Sequence, residues 1–339
     1  MKKNSENFSR YNKLIALSLT IYFGLFVLLM FLMDAQKMLI APPFISSLSF
    51  DEKLRYFREI KPKNSQILAV GSSMTLNNMD STLIKDRNGR QISTVNFASW
   101  GAQISDLQPV TDFSIKLIVK PNIVLILSSP VDFRNCSSPT TTNRKYVSFE
   151  DFNETDGLNY ISSNIPALYY HFKYRDLFNA VNLTNVLNVR QKRNNNDTYD
   201  SLKFDSGGSI VLEVPKENIL PSRWEGSFWK SISISDICYQ SLEKFASNLV
   251  QNNINLVFVL TPMREAYLNK YDPSREIITS HRSRLTSILK KYNGLLIDAR
   301  NDLPLTDEYF ADALHLNKKG AQLLTRYISE KLNQKFSAP

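Results

Sequence analysis

Histidine and cysteine are scarce in this sequence. Its 339 residues include three histidines, His171, His281 and His315, and two cysteines, Cys136 and Cys238. Two cysteines exclude a disulfide-rich scaffold and an all-cysteine structural zinc site. No cluster of His, Cys and Asp has the spacing of metal ligands, and no glycine-rich phosphate loop of the Walker or Rossmann type occurs. The expectation is therefore a protein without metal or cofactor. Long hydrophobic runs are also missing, with one exception, which excludes a polytopic membrane protein. Hydrophobic residues make up 43% and charged residues 22% of the chain. These are near the averages for folded proteins and exclude a wholly disordered chain. The length fits two domains, or one large domain carrying an insertion, and is ample for a core that needs no staples.

The exception is residues 14–33, LIALSLTIYFGLFVLLMFLM, twenty residues without a charge. As a helix rising about 1.5 Å per residue, this stretch spans a hydrocarbon core of about 30 Å. Lys2, Lys3, Arg10 and Lys13 precede it, opposed only by Glu6. The positive-inside rule keeps that end in the cytoplasm and sends the rest across. A signal peptide would have a shorter apolar region and a small-residue cleavage site; Asp34, Ala35, Gln36, Lys37 and Met38 follow instead, and no cysteine lies near for a lipobox. The reading is an uncleaved single-pass anchor in a bacterial cytoplasmic membrane with the remaining domain outside. Lys and Arg outnumber Asp and Glu by 41 to 32, a net charge of +9. Without residues 1–33 the counts become 37 and 31, dispersed along the chain. Nucleic acid is thus not the expected partner, whereas an anionic envelope polymer is compatible with the surface.

Beyond the anchor, residues 34–62 read as a juxtamembrane stalk with a short helix near 51–60. Short apolar runs then alternate with helical periodicity. Strands are expected at 66–70, 91–97, 123–127, 255–260 and 294–297, and helices at 106–119, 237–251, 275–292 and 318–336. Such alternation implies an α/β fold with a parallel sheet and helices on both faces. The pattern occupies 63–133 and 237–339 and is interrupted by an insertion at 134–236, rich in Asn, Ser, Tyr and Asp. The insertion includes an aromatic helix at 167–178 and a mobile loop near 190–210 that contains Ser206, Gly207 and Gly208. It reads either as a surface excursion or as a lid or substrate platform. Cys136 and Cys238 lie at its two ends. They are either bridged, as an exported domain permits, or two buried thiols.

Open parallel sheets place chemistry beyond the carboxyl ends of their strands. Gly71, Ser72 and Ser73 follow the first strand, and Asp312 and His315 precede the last helix. An Asp three residues before a His can accept a hydrogen bond from Nδ1–H, which leaves Nε2 as a base. A serine at a sharp strand-to-helix turn gives that base a proton to take. Taken singly, Gly-Ser-Ser is a capped turn and Asp-x-x-His a loop pair; their joint placement carries the argument.

These blocks resemble the SGNH (GDSL-type) hydrolase superfamily over about 64–133 and 253–333. The resemblance implies a flavodoxin-like three-layer sandwich, with Ser73 as nucleophile, His315 as base and Asp312 as its orienter. It places the oxyanion hole at the backbone N–H groups of Ser73 and Gly101, the latter within the block 96–101. The third block departs from the family's Gly-x-Asn-Asp. Ser129, Pro130, Val131 and Asp132 stand there, and Val131 has no donor to replace the Asn side chain. The anchor, Gly-Ser-Ser, Ser-Pro-x-x-Phe and Asp-x-x-His-Leu together resemble DltD-like proteins and the SGNH partners of exopolysaccharide O-acetylation. That implies an esterase or acyltransferase on an envelope polysaccharide or teichoic-acid-like polymer, with a membrane-bound O-acyltransferase as partner. A catalytically silent scaffold that binds the polymer or the membrane partner is the alternative.

Other residues carry weaker readings. Arg264 either clamps an anionic substrate group or is a solvated or salt-bridged arginine at a helix start. Asp132 either replaces a block-three acid or caps the next turn, and Ser72 neighbours the nucleophile. His281, in a Ser-His-Arg-Ser-Arg run, reads as surface, and His171 as packed among aromatics. Asn135, Asn153, Asn182 and Asn196 head glycosylation triplets that matter only in a glycosylating host.

Overall fold

The computed structural model describes residues 2–35, 47–60, 62, 65–118, 120–136, 188, 199, 201–229 and 234–336. The aromatic helix expected at 167–178, His171, Asn153, Asn182 and Asn196 lie outside the described residues.

Helix α1 (Lys2–Ala35) contains the apolar run. Its stretch Arg10–Leu29 has mean hydropathy 1.8 and none of it is buried within the protein. This helix is long and apolar enough to cross a membrane. Leu17, Leu19, Tyr22, Phe23 and Leu25 all face outward.

Five parallel strands form one sheet: β1 (Ile67–Ala69), β2 (Thr94–Asn96), β3 (Ile123–Ser128), β4 (Asn255–Leu260) and β5 (Leu295–Asp298). Their order is β2-β1-β3-β4-β5, the doubly wound flavodoxin-like arrangement, whose strand order reverses at β1 and β3. The register places Ala69 opposite Asn96 and Leu125, and Leu125 opposite Val257. Successive side chains along a strand point to opposite faces, so each apolar run supplies two cores. Leu68, Val124, Ile126, Leu256 and Phe258 share a core with α2 (Leu48–Ile60), α4 (Leu107–Leu117), α5 (Asp236–Gln251) and α7 (Glu276–Lys291). Ile67, Ala69, Leu125, Leu127, Val257 and Val259 share the other with α8 (Lys318–Phe336). Between these stand α3 (Ser73–Asn77) and α6 (Glu265–Tyr271), both at the carboxyl end of the sheet. The expected α/β class, parallel sheet and two-sided helix packing are what the chain adopts.

Three sequence expectations are corrected. The segment read as a stalk is not free of the domain, because α2 buries Phe50, Leu54 and Phe57 in the main core. Spacings of four and three put those residues on one helix face. Residues 201–210, within the loop read as mobile, are docked. Gly207 accepts from the Asn96 N–H at 2.7 Å, and Ile210 donates to the Leu76 carbonyl at 2.9 Å. A Cβ on Gly207 would lie 2.4 Å from the Ser81 Cβ, so the glycine serves close approach rather than flexibility. His281 is buried, not surface, and its Nδ1 lies 2.6 Å from the Tyr239 hydroxyl.

Cys136 and Cys238 form a disulfide across 102 residues of sequence. Both belong to the core built on α5 and β3.

Candidate active site

The position of Ser73 is produced by a forced turn. Gly71 has φ +148°, and a Cβ there would meet Thr75 Oγ1 at 2.3 Å. Thr75 cannot withdraw, since its hydroxyl donates to the Leu127 carbonyl at 2.8 Å and accepts from the Leu127 N–H at 2.9 Å. The chain therefore leaves β1 sharply and enters α3 at once. Ser72 caps the helix, accepting from the Met74 N–H at 3.0 Å, which makes Ser73 its first residue.

The other half arrives from the loop before α8. His315 Nε2 lies 2.9 Å from Ser73 Oγ, and His315 Nδ1 lies 2.8 Å from Asp312 Oδ2. Asp312 Oδ1 accepts from the backbone N–H groups of Leu314 and His315 at 2.8 and 2.7 Å. Asp312 is fully buried and His315 nearly so. A carboxylate that holds three donors is fixed in place; with Nδ1–H donating to it, Nε2 is left to accept the serine proton. The two halves are locked together by Asn78, whose Oδ1 accepts from the Leu316 N–H at 2.8 Å.

Ser73 and His315 open into a cleft of about 340 Å³. Gly101 lines it with φ +66°, as do Ser72, Val131 and Asp132. Val131 is a buried part of the wall and offers no side-chain donor. Asp132 borders the cleft and completes the capping box of the turn, accepting from the Ser129 N–H at 3.2 Å and the Ser128 hydroxyl at 2.8 Å. Burial pushes its carboxyl above the usual aspartate range, partly offset by hydrogen bonds from Ser72, Ser128 and the Ser129 backbone.

Arg264 does not line this cleft. Its guanidinium binds Asp307 through Nε at 3.0 Å and Nη2 at 2.5 Å, donates to the Trp224 carbonyl at 2.5 Å, and stacks 3.5 Å over the Trp224 ring. Its planar fork is committed to holding the 221–229 segment against the strand ends. This is the salt-bridged arginine at a helix start, since Arg264 precedes α6 and pairs with Asp307, but it is buried at 5% exposure rather than solvated, and it is not a clamp in the cleft.

The lining also includes Trp100, Gln103, Arg134, Tyr199, Arg223 and Trp229, which sequence reasoning did not single out. Tyr199 donates to the Ala311 carbonyl beside Asp312, and the Arg223 guanidinium stacks 4.5 Å from the Tyr199 ring. Burial raises the Tyr199 phenol, and the Asp312 charge raises it further. The Trp229 ring sits 5.7 Å from that of His315. A signal did exist: the chain has three tryptophans, two of which line the cleft while the third stacks on Arg264. No group of three or more His, Cys, Asp or Glu able to share an ion occurs among the described residues.

The family model described as Protein of unknown function (DUF1574) matches residues 21–332. The chain belongs to that family. Among curated proteins none matches the sequence. Two solved structures, both mutants of Axe2, an acetyl-xylooligosaccharide esterase from Geobacillus Stearmophilus, align with it. One has 13% identity and a TM-score of 0.39, over 82% of this chain and 99% of that one. The other has 14% identity and a TM-score of 0.38, over 81% and 96%. At such scores the likeness does not bear on activity.

Proposed function

We propose that this DUF1574 chain is a membrane-anchored, extracytoplasmic acyl esterase or acyltransferase of SGNH type, acting on an acylated envelope polysaccharide or related polymer. The observation that carries the reading is the continuous relay from Ser73 Oγ through His315 to the buried Asp312. In the first half-reaction, Ser73 Oγ bonds to the ester carbonyl carbon and its proton passes to His315 Nε2. Asp312 steadies the imidazolium. The oxyanion is received by the backbone N–H groups of Ser73 and Gly101. Collapse breaks the ester C–O bond, and His315 returns the proton to the leaving alcohol. In the second half, water or a polymer hydroxyl attacks the acyl-serine carbonyl, gives its proton to His315, and releases acid or new ester while Ser73 regains its hydrogen.

Trp100, Tyr199 and Trp229 in the lining offer flat apolar faces suited to sugar rings, with Arg134 and Arg223 between them. The exposed apolar helix α1 and the Lys2, Lys3, Arg10 and Lys13 flank support a single-pass anchor with an inside N-terminus. The Cys136–Cys238 bridge suits an oxidising compartment. A membrane-bound O-acyltransferase would be the natural acyl donor.

The test is labelling of the full-length chain in detergent by a fluorophosphonate probe. Wild type should label and Ser73→Ala should not, with both folded by circular dichroism. A folded wild type that resists the probe would reject the enzyme reading in favour of a silent polymer-binding scaffold. Adding a polymer hydroxyl acceptor and comparing free with transferred acyl product separates hydrolysis from transfer.

A further inference from the structure

Helix α2 follows the apolar helix in sequence, and two of its polar residues end on the loop that carries Gly101. Lys53, wholly buried, donates from Nζ to the Ala98 carbonyl at 2.5 Å. One turn earlier, Ser49 Oγ accepts from the Trp100 N–H at 2.8 Å. Other ties of this loop come from the sheet side: the Ala98 N–H donates to Asn96 Oδ1 at 2.9 Å and the Ser99 N–H to the Gly71 carbonyl at 3.0 Å. The peptide between Trp100 and Gly101 supplies the second oxyanion donor in the acyl-enzyme reading. Its position is thus set from one side by β1 and β2 and from the other by α2.

We infer that Lys53 and Ser49 are positioning residues for the reaction at Ser73, holding the 98–101 loop so that the Gly101 N–H meets the oxyanion. The inference rests on the acyl-enzyme reading above. A lysine is an expensive way to fill a core position, because its ammonium loses all its water there. Burial holds the Lys53 amine well below the usual lysine range, opposed by the Asp205 charge. The Phe204 ring, 5.7 Å away, gives it an apolar wall. A leucine or methionine would pack this site at less cost, and neither could grip a carbonyl. Ser49 repeats the pattern one turn away, so α2 turns both groups onto the loop that carries the second oxyanion donor. Since small misplacements of a reacting group cost large factors in rate, loss of either tie should slow acylation.

The experiment measures the rate of fluorophosphonate labelling and the kcat and KM for a chromogenic acetyl ester. It uses full-length wild type, Lys53→Met, Ser49→Ala and Ser49→Thr in detergent, with urea midpoints taken in parallel. Labelling and kcat should fall about 10-fold or more in Lys53→Met and Ser49→Ala. KM should stay within twofold, and Ser49→Thr, which keeps the hydroxyl, should recover most of the rate. A merely structural role would lower the urea midpoint and leave the rate of the folded fraction alone. Unchanged rates in both variants, with wild type labelling normally, would overturn this inference and spare the acyl-enzyme reading. No labelling of wild type would overturn both. If Lys53→Met does not fold, the contrast between Ser49→Ala and Ser49→Thr decides.

Discussion

At the scale of single residues, the sequence was informative where chemistry demands particular atoms at particular spacings. Asp312 and His315 sit three apart because one loop must present a carboxylate to Nδ1, and that spacing is visible without a structure. Ser73 was legible because Gly71 and Ser72 announce a turn and a cap. His281 was misread for the opposite reason. Its immediate neighbours, Ser280, Arg282 and Arg284, are polar, yet Ile278, Leu285 and Ile288 stand three, four and seven residues away and share its buried face. Helical period outweighs local polarity. The burial has a measurable consequence. Burial first, then the Arg300 and Arg284 charges, push the His281 imidazole down to about 3 from 6.5. Between those values the unfolded chain binds a proton that the native state refuses, so stability is lost as pH falls through 6.5 toward 3. Going from pH 7 to 4.5, this group should remove roughly 2–3 kcal/mol. Urea midpoints of wild type and His281→Gln at the two pH values check it. The wild type should fall further by that amount, and parallel slopes would show that His281 is not neutral in the fold.

Elements were read well where they are buried on both faces. β3 and β4 appear in the sequence as unbroken apolar runs, and β4 has the bounds expected of it. β2 is shorter than its expected 91–97, reduced to Thr94–Asn96, since only that part lies beside β1. Helix α2 was visible but its packing was not, because Lys53 and Ser49 look like solvent-facing residues until their partners at Ala98 and Trp100 are known. The disulfide was open on sequence grounds alone; it required α5 to bring Cys238 to within 5.2 Å of Cys136, Cα to Cα. It closes a long loop, and such closures are worth roughly 2–5 kcal/mol. Cys136→Ser with Cys238→Ser should therefore lower the unfolding free energy by that amount, read from urea titrations under non-reducing conditions. Dithiothreitol should do the same to wild type and nothing further to the double variant. Equal midpoints for oxidised wild type and the double variant would mean the bridge does not stabilise this fold.

For the whole molecule, the question is where the exposed apolar helix gives way to the folded domain. Sequence put that boundary near residue 62; the core puts it before α2. Phe50, Leu54 and Phe57 are buried against Phe97 and its neighbours, and burying side chains of that size contributes roughly 1.5–3 kcal/mol each. Three of them approach the roughly 5–15 kcal/mol by which a domain is stable at all. A chain beginning at residue 47 should thus fold without detergent and label at Ser73, since it keeps α2 and the core it helps to build. A chain beginning at residue 63 should be insoluble or fail to unfold cooperatively. The same boundary limits where the cleft can sit. Ser49 touches the loop bearing Gly101, and only residues 36–47 join α2 to the end of α1. At about 3.5 Å per fully extended residue they reach at most about 40–45 Å, so α1, acting as the anchor we propose, would leash the cleft within that distance of the bilayer. Folding of the chain that starts at 63 would return α2 to the role of a stalk and release the site from that leash.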